Sequence, residues 1–182
     1  MKNLPDKLYN VDSIVRLEQI AINQFGIPAY TLMKSAGEAV FNVIQTKYPL
    51  CKNVLVLCGA GNNAGDGYVV ARLAKQAGLT VRVISLVDAN TLKNEALLAC
   101  QDWLSIAENT VADESLINEA DIIVDALLGT GLKREVSGEW AQWITAVNNS
   151  NRPVISIDIP SGLIADTGEI SAHAIQADVT VS

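Results

Sequence analysis

The chain has 182 residues, 49% hydrophobic and 18% charged, a balance that excludes a disordered polypeptide and implies one compact body with a sizeable core. Against 20 acidic residues stand 13 basic ones, a formal net charge of -7. That disfavours nucleic acid as a partner, because neutralising phosphates needs a Lys/Arg surface. The polar start Met1–Lys7 lacks the apolar core of a secretory signal, and no apolar stretch approaches the roughly 20 residues of a membrane span.

In chain order, a helix is expected over about 12–25, capped by Asp12 or Ser13, with Ile14, Leu17, Ala21 and Phe25 on one stripe and Gly26 at its end. A second helix is expected over 30–48, stopped by Pro49. Strands then fall near 53–58, 80–87, 121–126, 153–158 and 178–182. Helices alternate with them near 65–77, 90–107 and 138–149, and a weak extra strand at Thr110–Val111 precedes a helical turn at 113–119. The strands are near-continuous apolar runs, as in a parallel sheet covered on both faces. The expected fold is α/β: a three-layer, Rossmann-like, doubly wound, mainly parallel sheet with two extra N-terminal helices. The expected strand order is 3-2-1-4-5-6, with the weak strand third. The N-terminal helices would pack on the sheet or on a partner subunit. Residues 1–182 read as one domain, and the abrupt end in the strand-like Asp178–Ser182 reads as a truncation.

Three cysteines, Cys51, Cys58 and Cys100, form no CxxC pair and read as reduced thiols of a cytoplasmic protein. Nothing basic beside Cys58 would activate its thiolate. The single histidine, His173, pairs with no nucleophile, and no GxSxG elbow is present, so a hydrolase triad has no support. Trp103, Trp140 and Trp143 fall on helices as packing or interface residues.

Chemistry concentrates after three strands, in Gly59–Gly67, Val124–Gly131 and Ser156–Gly162. Parallel strands bring their carboxyl ends to one rim, where ligands bind in such sheets. The first loop reads GxGxxxG, not GxGxxG, and lacks the Gly-Lys-Ser/Thr of a P-loop. It is either a tight strand-to-helix turn or a phosphate site at a helix N-terminus. Asn62 and Asn63 add donors and acceptors beyond what a turn needs, whereas Asp66 is either a helix cap or a ligand group. Asp125 and Asp158 end apolar strands, where a carboxylate needs partners or a cation. With Asn63 and Ser161 they make an all-oxygen nest for a hard cation. Lys133 and Arg134 are solvated charges or cations for a diphosphate. Asp88 caps a helix or reads a ribose hydroxyl.

The segments Gly-Ala-Gly-Asn-Asn-Ala-Gly-Asp-Gly, Val-Asp-Ala-Leu-Leu-Gly-Thr-Gly and Asp-Ile-Pro-Ser-Gly, in this order, closely resemble the YjeF N-terminal domain family. The resemblance runs from Leu8 to Ser182 and takes in Leu32–Gly37, where Lys34 stands in place of the family's usual Glu. It implies NAD(P)H-hydrate epimerase activity: conversion of the R form of hydrated NADH or NADPH to the S form, for nicotinamide cofactor repair. It also implies a potassium ion, a homodimer, and a fused or separate ADP- or ATP-dependent dehydratase as partner. By motif position Asn62, Asn63, Ala64, Gly65, Asp66 and Asp158 would contact substrate. Gly129, Thr130, Gly131, Leu132, Lys133, Arg134 and Glu135 would wrap the dinucleotide. Asn63, Asp125 and Ser161 would hold potassium. Asp158 would be the catalytic acid and base, protonating the C6 hydroxyl as it leaves and activating the water that returns on the opposite face. The alternative is a non-catalytic dinucleotide-binding or scaffold module of the same fold. A dehydrogenase is disfavoured by the glycine spacing.

Overall fold

The apolar runs at Asn53–Cys58 (β1), Thr80–Ser85 (β2), Ile122–Ala126 (β3), Val154–Ile157 (β4) and Val179–Val181 (β5) pair side by side in a computed structural model that describes residues 9–132 and 134–182. All the pairings are parallel and the order is β2-β1-β3-β4-β5. Helices α1 (Val11–Asn23) and α2 (Ala29–Lys47) precede the sheet. Helices α3 (Asn62–Gln76), α4 (Asn94–Leu104), α5 (Ser115–Glu119) and α6 (Gly138–Asn149) connect its strands.

Strand side chains alternate between two cores. Val54, Val56, Cys58, Ile122 and Val124 meet α2, α3 and α4 on one face. On the other, Leu55, Leu57, Ile123 and Val154 meet α5 and α6. Helix, sheet and helix therefore form three layers, which is why the strands carry apolar residues on both sides. Trp103 and Trp143 are buried in these cores, and the Trp103 indole donates to Asn109 Oδ1 at 3.0 Å.

The expected strand order holds once the weak third strand is removed. Thr110–Val111 forms no strand among the described residues. What stands in its place is one bond, from the Thr110 amide to the Val83 carbonyl at 2.7 Å, and Val111 is exposed. The chain uses this point to pass from α4 on one face to α5 on the other. Three boundaries also move. Asn10, not Asp12 or Ser13, caps α1 by accepting from the Ser13 amide at 2.9 Å. The helix expected at 90–107 divides into a 3-10 turn at Ala89–Thr91 and α4, because Leu92 and Lys93 are extended. Helix α3 starts at Asn62 instead of Gly65, because Gly61 at φ +93° turns the chain as soon as β1 ends. Among the described residues no helix is long and apolar enough to cross a membrane.

Helix α1 differs from the other helices of the fold. None of its residues is buried, and Ile14, Val15 and Leu17 are exposed although they are apolar. Its N-terminus is tied down by the Val11 amide donating to Asp166 Oδ1 at 3.0 Å.

Candidate active site

A cavity of about 700 Å³ opens at the carboxyl ends of β1, β3 and β4. Its floor is the start of α3, its side the loop after β3, and its far wall the end of β4. Helices α1 and α2 close the top through Glu18, Ala36 and Val40, among others. Of the residues read from sequence, Asn62, Asn63, Asp66, Gly129, Thr130, Gly131, Leu132, Arg134 and Asp158 line it.

The first turn of α3 has no side-chain cap. Its free amides therefore present the positive end of a 15-residue helix to this space. Asn63 is 7% exposed, and neither its amide nitrogen nor its oxygen has a hydrogen-bond partner. A buried amide left unpaired is uncommon and marks a place where something polar binds. Because α3 starts three residues earlier than expected, Asp66 lies inside the helix and is not its cap. Burial first, and then the charges of Asp158 and Glu18, push its carboxyl up to about 7. Burial and Asp158 also raise Glu18.

Asp158 follows β4 in the left-handed region, at φ +67°, a conformation that Asp tolerates better than most residues. Its backbone amide donates to the Val181 carbonyl of β5 at 2.8 Å. Its Oδ2 accepts from the Thr130 amide at 2.9 Å. Gly129 is what lets these parts meet: a Cβ there would come within 2.9 Å of Asp158 Oδ2 and 3.3 Å of Asn63 Cβ. A side chain at 129 would thus drive into both polar groups.

Asp125 is fully buried behind this surface. Four donors surround it: Ser156 Oγ at 2.7 Å, the Ser161 amide at 2.9 Å, Ser161 Oγ at 2.5 Å and the Leu127 amide at 3.3 Å. Burial raises its pKa, and the bonds from Ser161 and Ser156 pull it back only in part. Ser161 Oγ also accepts from the Leu128 amide at 2.8 Å. The loop 128–130 is therefore pinned at one end to the Asp125–Ser161 knot and at the other to Asp158. Residues 63, 125, 158 and 161 come to one rim, as parallel strand ends require.

Other residues from the sequence reading lie elsewhere. Ala64 and Gly65 are buried and do not line the cavity; a Cβ at Gly65 would meet Met33 Cε at 2.6 Å. Glu135 is exposed and outside the lining, and Lys133 lies outside the described residues. Asp88 accepts from the Asn90 amide at 2.8 Å and caps the short 3-10 turn, so its capping role holds. His173 sits against Thr145 of α6, away from the cavity. Burial pushes the Cys58 thiol well up, which makes it an inert core residue. Lys34 places its Nζ 5.2 Å from the ring centre of Tyr30 on α2. Sequence reading missed Glu18. It lies on a helix that reads as a packing element, and only the tertiary fold sets it beside the cavity.

A family model described as YjeF-related protein N-terminus matches residues 29–182. The chain belongs to this family. It is 43% identical to the Bifunctional NAD(P)H-hydrate repair enzyme Nnr of Escherichia coli, over 99% of this chain and 35% of that protein. It is 38% identical to the NAD(P)H-hydrate epimerase of Limosilactobacillus fermentum, over 91% of this chain and 79% of that protein. The chain thus spans about a third of the bifunctional relative and most of the stand-alone one. The family model begins at the first residue of α2 and leaves α1 outside.

Proposed function

We propose that this chain epimerises the R form of hydrated NADH or NADPH to the S form, returning damaged nicotinamide cofactor to a repairable state. One observation carries the reading: free helix amides, the unpartnered Asn63 and the fixed carboxylate of Asp158 share one cavity at the rim of the sheet. Similarity to proteins named as epimerases or hydrate repair enzymes supports it. A scaffold module would have no use for these unpaired groups, and no feature of the site favours that alternative.

The anionic diphosphate belongs at the N-terminus of α3, where backbone amides and the helix dipole offset its charge. Arg134 at the cavity's edge adds a side-chain cation. The reduced ring then reaches toward Asp158. Carbon C6 bears a hydroxyl and adjoins the ring nitrogen, whose lone pair helps expel the oxygen once it is protonated. Asp158 carries a proton at that carbon, and the Thr130 amide holds its carboxylate in place.

The potassium ion that the resemblance implies fits the donor set. Asn63 Oδ1 has no partner, and Asp125 is a buried acid surrounded only by neutral donors. Asn63, Asp125 and Ser161 would hold it, and it would supply a fixed positive charge beside an anionic ligand. The exposed apolar residues of α1 suit a homodimer, the composition and unpaired thiols suit the cytoplasm, and the dehydratase that acts on the S form is a fused or separate partner. The deciding assay uses purified R hydrate with and without potassium. Production of the S epimer above the spontaneous rate is expected; its absence in both conditions would refute the reading.

A further inference from the structure

We propose that Asp66 is a second catalytic residue, paired with Asp158 so that each carboxyl serves one face of the reacting ring. The inference rests on the epimerase reading and deepens it.

Inversion at C6 by loss and return of water sets a requirement. On one face a carboxylic acid gives its proton to the C6 hydroxyl. The C6–O bond breaks, the nitrogen lone pair forms a C6–N double bond, and water leaves. On the opposite face another water attacks C6 and the electron pair returns to nitrogen. That water's surplus proton then passes to a carboxylate there. One acid has become a carboxylate and one carboxylate an acid, with no change of oxidation state. A single fixed carboxyl reaches one face, so inversion needs a proton carrier on each.

Among the described residues the cavity is lined by three groups able to carry that proton: Glu18, Asp66 and Asp158. Arg134 holds its protons too firmly. Asp66 and Asp158 come from opposite sides of β3, one on the helix that follows β1 and the other at the end of β4. Strand spacing puts β1 and β4 about 10 Å apart, wide enough for a flat ring between the groups they carry. Glu18 belongs to a helix with no buried residue and is itself exposed, so it is the less firmly held of the three. Asn63 is independent evidence that a ligand fills this space, since its buried amide lacks any protein partner. The surroundings agree with shared proton duty: burial first, and then the charges of Asp158 and Glu18, push the Asp66 carboxyl up to about 7, where a carboxyl gives and takes protons readily.

Each separated epimer of hydrated NADH, incubated in oxygen-18 water with the wild-type chain, Asp66→Asn and Asp158→Asn, provides the test. Label and configuration at C6 are read by chiral separation and mass spectrometry. Wild type should invert and label both epimers. Each variant should lose inversion by at least about 100-fold. Each should still exchange oxygen with retention into one epimer, a different one for the two variants, because its remaining carboxyl can remove and return water on its own face. Two outcomes would overturn the pairing: inversion by Asp66→Asn within about threefold of wild type, or loss of exchange into both epimers in that variant. No inversion by wild type would instead defeat the epimerase reading itself.

Discussion

Asp125 and Asp66 are the same side chain in opposite circumstances, one at the end of β3 and the other in the first turns of α3. Asp125 is sealed from solvent and surrounded by four donors from Ser156, Ser161 and Leu127. Asp66 faces an open cavity with acids as its charged neighbours, and its carboxyl is pushed up to about 7. One acid ties β4 and the loops after β3 and β4 together; the other is poised to exchange a proton. A carboxylate's role follows from the donors its neighbours supply, not from its place at a strand end or helix start.

That contrast can be broken from either side. Asp158→Asn should have the largest effect, a fall in epimerase turnover of about 10²- to 10⁴-fold. Dinucleotide affinity, read by calorimetry, should change only slightly. Asp125→Ala strands two buried hydroxyls and two amides, so denaturant unfolding should show a loss of about 2–4 kcal/mol.

Asp66→Asn should act on stability in the opposite sense, and with a pH signature. The folded pKa is raised from 3.8 to about 7. Between those values the unfolded chain releases a proton that the folded chain keeps, so wild-type stability falls as pH rises and levels off above about 7. The variant escapes this loss. Its melting temperature should match wild type near pH 4 and exceed it near pH 8; equal melting at both would show that Asp66 is not the strained acid described here.

Gly129→Ala places a methyl 2.9 Å from Asp158 Oδ2. Turnover should drop by about tenfold, with the free energy of unfolding lowered by less than about 1 kcal/mol in denaturant titration, because the loop is at the surface of the cavity. The smallest effect belongs to α1. Leu17 is 50% exposed, so Leu17→Ser should change the stability of the folded monomer by no more than about 0.5 kcal/mol. If α1 forms the dimer contact, light scattering should show the variant dissociating at concentrations where wild type stays paired.

Much of this was legible in the residues. Continuous apolar runs such as Val54–Leu57 and Ile122–Val124 dictate buried parallel strands, and parallel strands bring the Gly59, Asp125 and Asp158 loops to one rim. The weak strand at Thr110 was misread because a β-branched pair resembles a strand whether or not a neighbour completes its ladder; here a single bond to Val83 suffices. The start of α3 was misplaced because glycines and asparagines read as loop residues, whereas the left-handed Gly61 allows the helix to begin at Asn62. Glu18 carried no signal at all, since a Glu on an amphipathic helix reads as a solvated face.

Sequence by itself determined which side chains could reach the rim, because chain order and strand direction are written in the pattern of apolar runs and glycines. Tertiary structure decided what each of them is once there. Donor geometry tied Asp125 into the framework of the rim, while burial first, and then the charges of Asp158 and Glu18 brought in from after β4 and from α1, raised Asp66. Electrostatic surroundings sum over groups distant in the chain, and no local stretch of residues contains that sum.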